Sequence, residues 1–235
     1  MCLGLLIYFS FSILHNGKLG TMKAIIKLST LFLVIVMFFN GTKMASFEGK
    51  IFFKSYTEGK KDEVYVYYVK GDKVRIDQVA NGVINGTILA DTKSKEMFGL
   101  TPKHKIYYKK SYVPTDYAKR DDVVATKTGK TQNIKCFECT EYTVEDKAND
   151  SFITYYVSER NFDFFRSMLT TLNRKERLSV NYMQIDNLHR DFPFVGVEKK
   201  ADGSAKQRLE VTLIEEAEVP AEMFDIPFNF VEQSY

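Results

Sequence analysis

From Ser46 onward the apolar residues recur at every second position, and this period of two constrains the chain more than any other feature. Phe47, Gly49, Ile51 and Phe53 fall on one face of an extended segment, and Glu48, Lys50 and Lys54 fall on the other. The pattern repeats in Asp62–Lys70 and in Asp72–Val79, where Val74 and Ile76 oppose Lys73, Arg75 and Asp77. It predicts further strands over Gly82–Ala90, Lys95–Leu100 and Lys105–Lys109. Gly-Asp, Asn-Gly and Thr-Pro pairs separate them, with no helical stretch between, so the expected arrangement is an antiparallel meander. Ser111–Thr131 reads as a long polar loop, after which strands resume at Ile134–Glu145 and Ser151–Ser158.

The alternation breaks once. Over Asn161–Leu178 the residues Phe162, Phe165, Met168, Leu169 and Leu172 lie at helical spacing and form one apolar stripe. Ser158 or Asn161 is a suitable cap, and Asp163 near the start with Arg174, Lys175 and Arg177 near the end complements the helix dipole. Two late strands follow at Phe194–Lys199 and Arg208–Glu216, and Pro220–Phe224 suits a short helical turn.

In Asp62–Lys70 both faces are apolar: Val64, Val66 and Tyr68 on one, Tyr65, Tyr67 and Val69 on the other. Ser151–Val157 behaves alike. Such strands need cover on both faces. The expected fold class is therefore mainly β, a curved antiparallel sheet or open half-barrel with an amphipathic helix over its concave face. In that arrangement Phe162, Phe165, Leu169 and Leu172 meet Ile51, Phe53, Val64, Val66, Val74 and Ile76. These ten residues are the candidate walls of an apolar cavity or its lid, with a plain packed core as the other reading.

The first 45 residues differ from the rest. Met22 is followed by Lys23, Lys27 and the apolar run Leu28–Phe39, the layout of a secretory signal peptide and too short for a comfortable membrane span. Ala45 is a good small residue for the cleavage site, and Lys43 a poor one. The expected organisation is residues 1–21 as a start-site artefact, 22–45 as a signal peptide and 46–235 as a single β-rich domain. Export to the periplasm or outer membrane follows, the alternative being an uncleaved N-terminal anchor in the inner membrane.

Charge excludes one class of function. The chain carries 33 Lys and Arg against 30 Asp and Glu. Lys18, Lys23, Lys27 and Lys43 precede residue 46 with no acid among them, so the remainder has 29 bases and 30 acids, a net of −1. A nucleic-acid binder would be strongly basic.

No phosphate loop, nucleophile elbow or zinc-protease motif occurs, so neither a catalytic residue nor a cofactor is assigned. Cys136 and Cys139 form C-x-x-C, readable as a redox pair, as half of a zinc site with His104 and His189, or as two small side chains on a strand. Strand-like flanks put positions three apart on opposite faces, which favours the structural reading and leaves no metal site assigned. Lys103, Lys105, Lys109 and Lys110 surround Tyr107 and Tyr108. They read either as a patch for anionic headgroups in peripheral contact with an envelope membrane, or as lysines guarding a strand edge. The net charge favours the edge.

Several motifs in fixed order carry a resemblance. They are Val69-Lys70-Gly71-Asp72-Lys73-Val74-Arg75-Ile76, Ala90-Asp91 with Met97, and Pro102 with Lys105 and Tyr107. Cys139 with Tyr142, and Val219-Pro220, Met223-Phe224 and Ile226-Pro227, continue the series. The chain resembles domain-of-unknown-function family 4412, exported envelope proteins typical of the Bacteroidetes, across about Phe47 to Phe230. Cys136 stands where the resemblance leads one to expect a small residue such as Gly. The family's fold is similar to that of the LolA/LolB lipoprotein carriers, which implies an acyl-chain cavity and, as partner, a lipid or lipoprotein acyl chain. It implies no catalytic residue.

Overall fold

The computed structural model describes residues 46–114, 117–200 and 202–234. The expected start-site segment and signal peptide, residues 1–45, lie outside the described residues.

Six strands run as a meander: β1 (Gly49–Thr57), β2 (Glu63–Lys70), β3 (Lys73–Ala80), β4 (Val83–Asp91), β5 (Glu96–Thr101) and β6 (Ile106–Lys110). The chain then crosses to the far edge and returns through β7 (Val123–Ile134), β8 (Phe137–Asp146), β9 (Ser151–Ser158), β10 (Phe192–Lys199) and β11 (Ala205–Glu216). β11 pairs with β1, so two meanders join into one sheet. The short β12 (Val231–Glu232) lies parallel to β6 at the edge, giving the order β12-β6-β5-β4-β3-β2-β1-β11-β10-β9-β8-β7. The sheet is curved and unclosed.

Turn chemistry explains the hairpins. Asn81 and Gly82 both have positive φ, 52° and 76°, as a tight two-residue turn demands. Lys135 and Cys136 do the same between β7 and β8, at 52° and 67°. The expected strand over Ile134–Glu145 is therefore two strands meeting at a turn.

The expected loop over Ser111–Thr131 ends at residue 122. β7 occupies the remainder as the outer strand of the sheet. Its side chains are mostly exposed, so only Val123, Ala125 and Ile134 pack toward the core and the alternation is faint. The second half of the crossing segment is pinned at two points. Tyr117 donates from its hydroxyl to the carbonyls of Leu169 and Arg174 at 3.1 and 2.6 Å. Arg120 clamps the buried Asp146 carboxylate with two hydrogen bonds of 3.0 Å.

The single expected helix is two: α1 (Phe164–Thr171) and α2 (Arg177–Tyr182). Asn173, at φ 51°, takes a left-handed turn that α-helix cannot continue. Neither expected cap operates. Asp163 occupies the cap position of α1 without a side-chain bond to the helix, and its carboxylate pairs with Arg190 instead.

Opposed residues of antiparallel strands share a face, so the register assigns sides. Phe53 lies opposite Tyr65, Ile51 opposite Tyr67, and Tyr67 opposite Ile76. The helix side therefore carries Tyr65, Tyr67 and Val69 from β2. Val64 and Val66, expected there, point to the other side, Val64 being exposed and Val66 buried. An alternation with apolar residues in both phases leaves the phase open, and pairing with β1 settles it.

On the helix-free side a C-terminal strap covers β1 to β6. Lys70 donates from Nζ to the Val219 carbonyl at 2.8 Å, and Arg75 from Nη1 to the Met223 carbonyl at 3.2 Å. Glu48 accepts the Val219 amide at 2.8 Å. Its carboxyl is held below the usual range by Lys70 and that amide. Beneath the strap Asp77 is 1 % exposed and accepts from Arg75 and Thr87.

Candidate functional site

Seven of the ten expected cavity residues come together. Ile51, Phe53, Val74, Ile76, Phe162, Phe165 and Leu169 belong to one buried cluster, with Leu172 partly buried against it. The space beneath the helices is occupied by rings. Phe162 is 1 % exposed and lies 5.1 Å, centroid to centroid, from both Phe47 and Phe192. Phe165 sits 4.6 Å from Phe192 and 5.3 Å from Tyr182. Met168, from the middle of α1, is fully buried.

The open concavity lies on the other side, where no strap covers β8 to β11. β10 is apolar on both faces because Phe192–Val197 is a central strand. Phe194 enters the core, and Val195 and Val197 face away from the helices. With Phe152, Thr154 and Tyr156 of β9 and Thr143 of β8 they floor a groove of about 580 Å³, and Ile134, which packs against the core, lines its β7 end. Phe152 is 47 % exposed, a large apolar side chain left in water.

Polar groups frame this floor. Glu141 accepts from the Tyr156 hydroxyl at 2.7 Å and the Thr128 hydroxyl at 2.9 Å, and pairs with Lys130 at 3.2 Å. The Tyr156 bond, then Thr128 and Lys130, hold its carboxyl below the usual glutamate range against the desolvation of burial. Arg208 and Glu210 pair at 2.8 Å. Lys199 makes no ion pair among the described residues and stands at the Phe152 end. A floor of apolar side chains interrupted by two threonines, with a free cation at one end, can accept an extended apolar chain with an anionic terminus. Of the groove, only the doubly apolar Ser151–Val157 gave a sequence signal; the pairing that assembles it is long-range.

The remaining motif residues do not converge. Cys136 is exposed in the β7–β8 turn and Cys139 is buried on β8. Burial pushes the Cys139 thiol up to about 12. Among the described residues no group of three or more His, Cys, Asp or Glu is placed to hold a metal. In the folded protein a thiol reagent should modify Cys136 and leave Cys139 intact until unfolding, as peptide mapping would show. Cys136→Gly, which suits the left-handed turn, should raise stability by about 1 kcal/mol in urea unfolding. A destabilised glycine variant would contradict the turn geometry.

The profile of the family described as Domain of unknown function (DUF4412) matches residues 47–230. The chain belongs to the DUF4412 family. The DUF4412 match runs from the entry to β1 to the strap, so core, helices and groove all lie within it. The comparison with curated proteins gave no match. Among solved structures, an uncharacterized conserved protein from Thermus thermophilus is similar at 9 % identity and a TM-score of 0.46, covering 78 % of this chain and 89 % of that one. The complex of MucA and MucB from Pseudomonas aeruginosa gives 10 % identity and a TM-score of 0.45, covering 77 % and 56 %. A LolA superfamily protein from Nitrosomonas europaea gives 10 % and 0.31, covering 78 % and 91 %.

Proposed function

We propose that this protein is an exported, non-catalytic envelope protein that binds a lipid or lipoprotein acyl chain, and that the chain lies in the helix-free groove. The groove itself carries the reading. It combines about 580 Å³ of open volume, a floor where Val195, Val197, Phe152 and Tyr156 surround Thr143 and Thr154, and the free cation Lys199. Export rests on the leader layout of Met22, Lys23, Lys27 and Leu28–Phe39. A second reading is an interaction module without a ligand, supported by the ring-filled space beneath the helices.

The chain contains no Trp, so Phe152→Trp is a unique reporter. Titration with oleate below its micellar concentration should shift its emission to the blue and saturate. Val197→Glu, which puts a charge on the floor, should weaken binding by about tenfold or more. An unshifted, unsaturable signal would remove the carrier reading and leave the module.

A further inference from the structure

Antiparallel strands bring alternate turns to one end of a sheet. The β1–β2 turn, the Asn81–Gly82 turn and the Pro102–His104 turn between β5 and β6 therefore share an end. β12 adds to it. Val231 pairs with Ile106 in parallel register, which carries Phe228, three residues earlier, toward the Pro102–His104 turn.

Two apolar side chains project at this end. Phe228 is 103 % exposed and Val83 is 63 % exposed. Phe228 is held there: the Phe230 amide donates to the Pro227 carbonyl at 3.0 Å and closes a turn with Phe228 inside it. The charges around these tips are mainly basic. Among the described residues Lys60, Lys103 and Lys105 are exposed and make no side-chain hydrogen bond or ion pair. The acids of the β1–β2 turn are engaged: Glu58 with Lys200, Asp62 with Lys54, and Glu63 with Tyr65 and Gln78.

We propose that this end of the sheet docks on a bilayer surface bearing anionic headgroups. Phe228 and Val83 enter the interface, while Lys60, Lys103 and Lys105 lie at headgroup level. An exposed aromatic among free cations has the composition of an interfacial membrane contact. Separate projecting tips suit a fluid surface, whereas a rigid protein partner needs a broad complementary patch. The inference is independent of the groove, which uses other residues.

Phe228→Trp places a single Trp at the tip of the full-length chain. Mixed with phosphatidylcholine vesicles containing phosphatidylglycerol, it should shift to the blue and be quenched by brominated acyl chains. Pure phosphatidylcholine should give neither effect. Lys103→Gln with Lys105→Gln should lower the partition coefficient about 30-fold, at about fivefold per lysine. These side chains are exposed, so the unfolding midpoint should not change. Val197→Glu on the groove floor should leave the shift at residue 228 unchanged, which separates failure of the tip from failure of the groove. No shift at residue 228, an equal shift with both vesicle types, or a shift arising from self-association without lipid would each overturn the proposal.

Discussion

Replacing Phe162 by alanine should destabilise the domain by about 3–5 kcal/mol, the usual cost of truncating a fully buried aromatic. The ring stands where the two meanders and the helices converge. It contacts Phe47 before β1, Phe137 of β8, Phe164 at the start of α1, and Phe192 and Phe194 of β10, all within 6.5 Å between centroids. Its amide is also held, donating to the Arg190 carbonyl at 3.2 Å. Neighbours tied to separate strands cannot all move inward to fill the void, so little of the loss is recovered by relaxation. Against a typical total of about 5–15 kcal/mol, the variant should be marginal at physiological temperature. Phe162→Leu should cost less than half as much, because it keeps most of the apolar volume. The check is urea unfolding, with a lower midpoint and an unchanged slope. An alanine cost below about 1 kcal/mol would mean that the ring covers open space, and would return the acyl-chain site to the region beneath the helices.

Asp191→Asn should stabilise the protein at neutral pH by about 2–3 kcal/mol and remove part of its pH dependence. Asp191 is 1 % exposed, and neither carboxylate oxygen has a hydrogen-bond partner. Burial pushes its carboxyl from the ordinary 3.8 up to about 6, against the opposing pull of the Arg166 guanidinium and its own backbone amide. Glu159 adds to the rise, and His189 opposes it. The Tyr182 hydroxyl, electrostatically coupled to Asp191, is likewise unpartnered, and its pKa is raised by burial. Between about pH 4 and pH 6 the folded state binds more protons at this residue than the unfolded chain does. Its contribution to stability is therefore most favourable at low pH, declines as pH rises through that window, and is flat above it. The difference in unfolding free energy between variant and wild type should grow from about zero at pH 4 to its full value near pH 7. A difference independent of pH would show that the carboxyl is not ionised by burial-shifted titration in this range.

Strand identity was legible because β1 and β3 keep their polar and apolar residues in phase for several positions, and because β2 and β9 are runs of β-branched and aromatic residues between turn signals. β2, β3 and β9 lie within one residue of where their alternation puts them. The helical stripe was equally plain, since Phe165, Met168 and Leu169 are buried at helical spacing. What failed has specific causes. β7 is an edge strand, with few buried side chains to mark a period. Asn173 ended the helix early through a backbone conformation that the side-chain pattern does not display. Lys135 and Cys136 form a turn without glycine.

The amino-acid sequence by itself determined that this chain forms a largely antiparallel sheet with a helical stripe packed against it, because periodicity is a local property of side-chain order. Tertiary structure alone decided which face each doubly apolar strand presents. It paired Tyr67, rather than Val66, with Ile51, filled the space beneath the helices with rings, and laid the C-terminal strap over β1 to β6. The groove over β8 to β11 stayed open because the strap runs the other way, toward β6. Residues far apart in the chain make those choices through register, and a one-residue shift in register would exchange the two faces while leaving every local pattern unchanged.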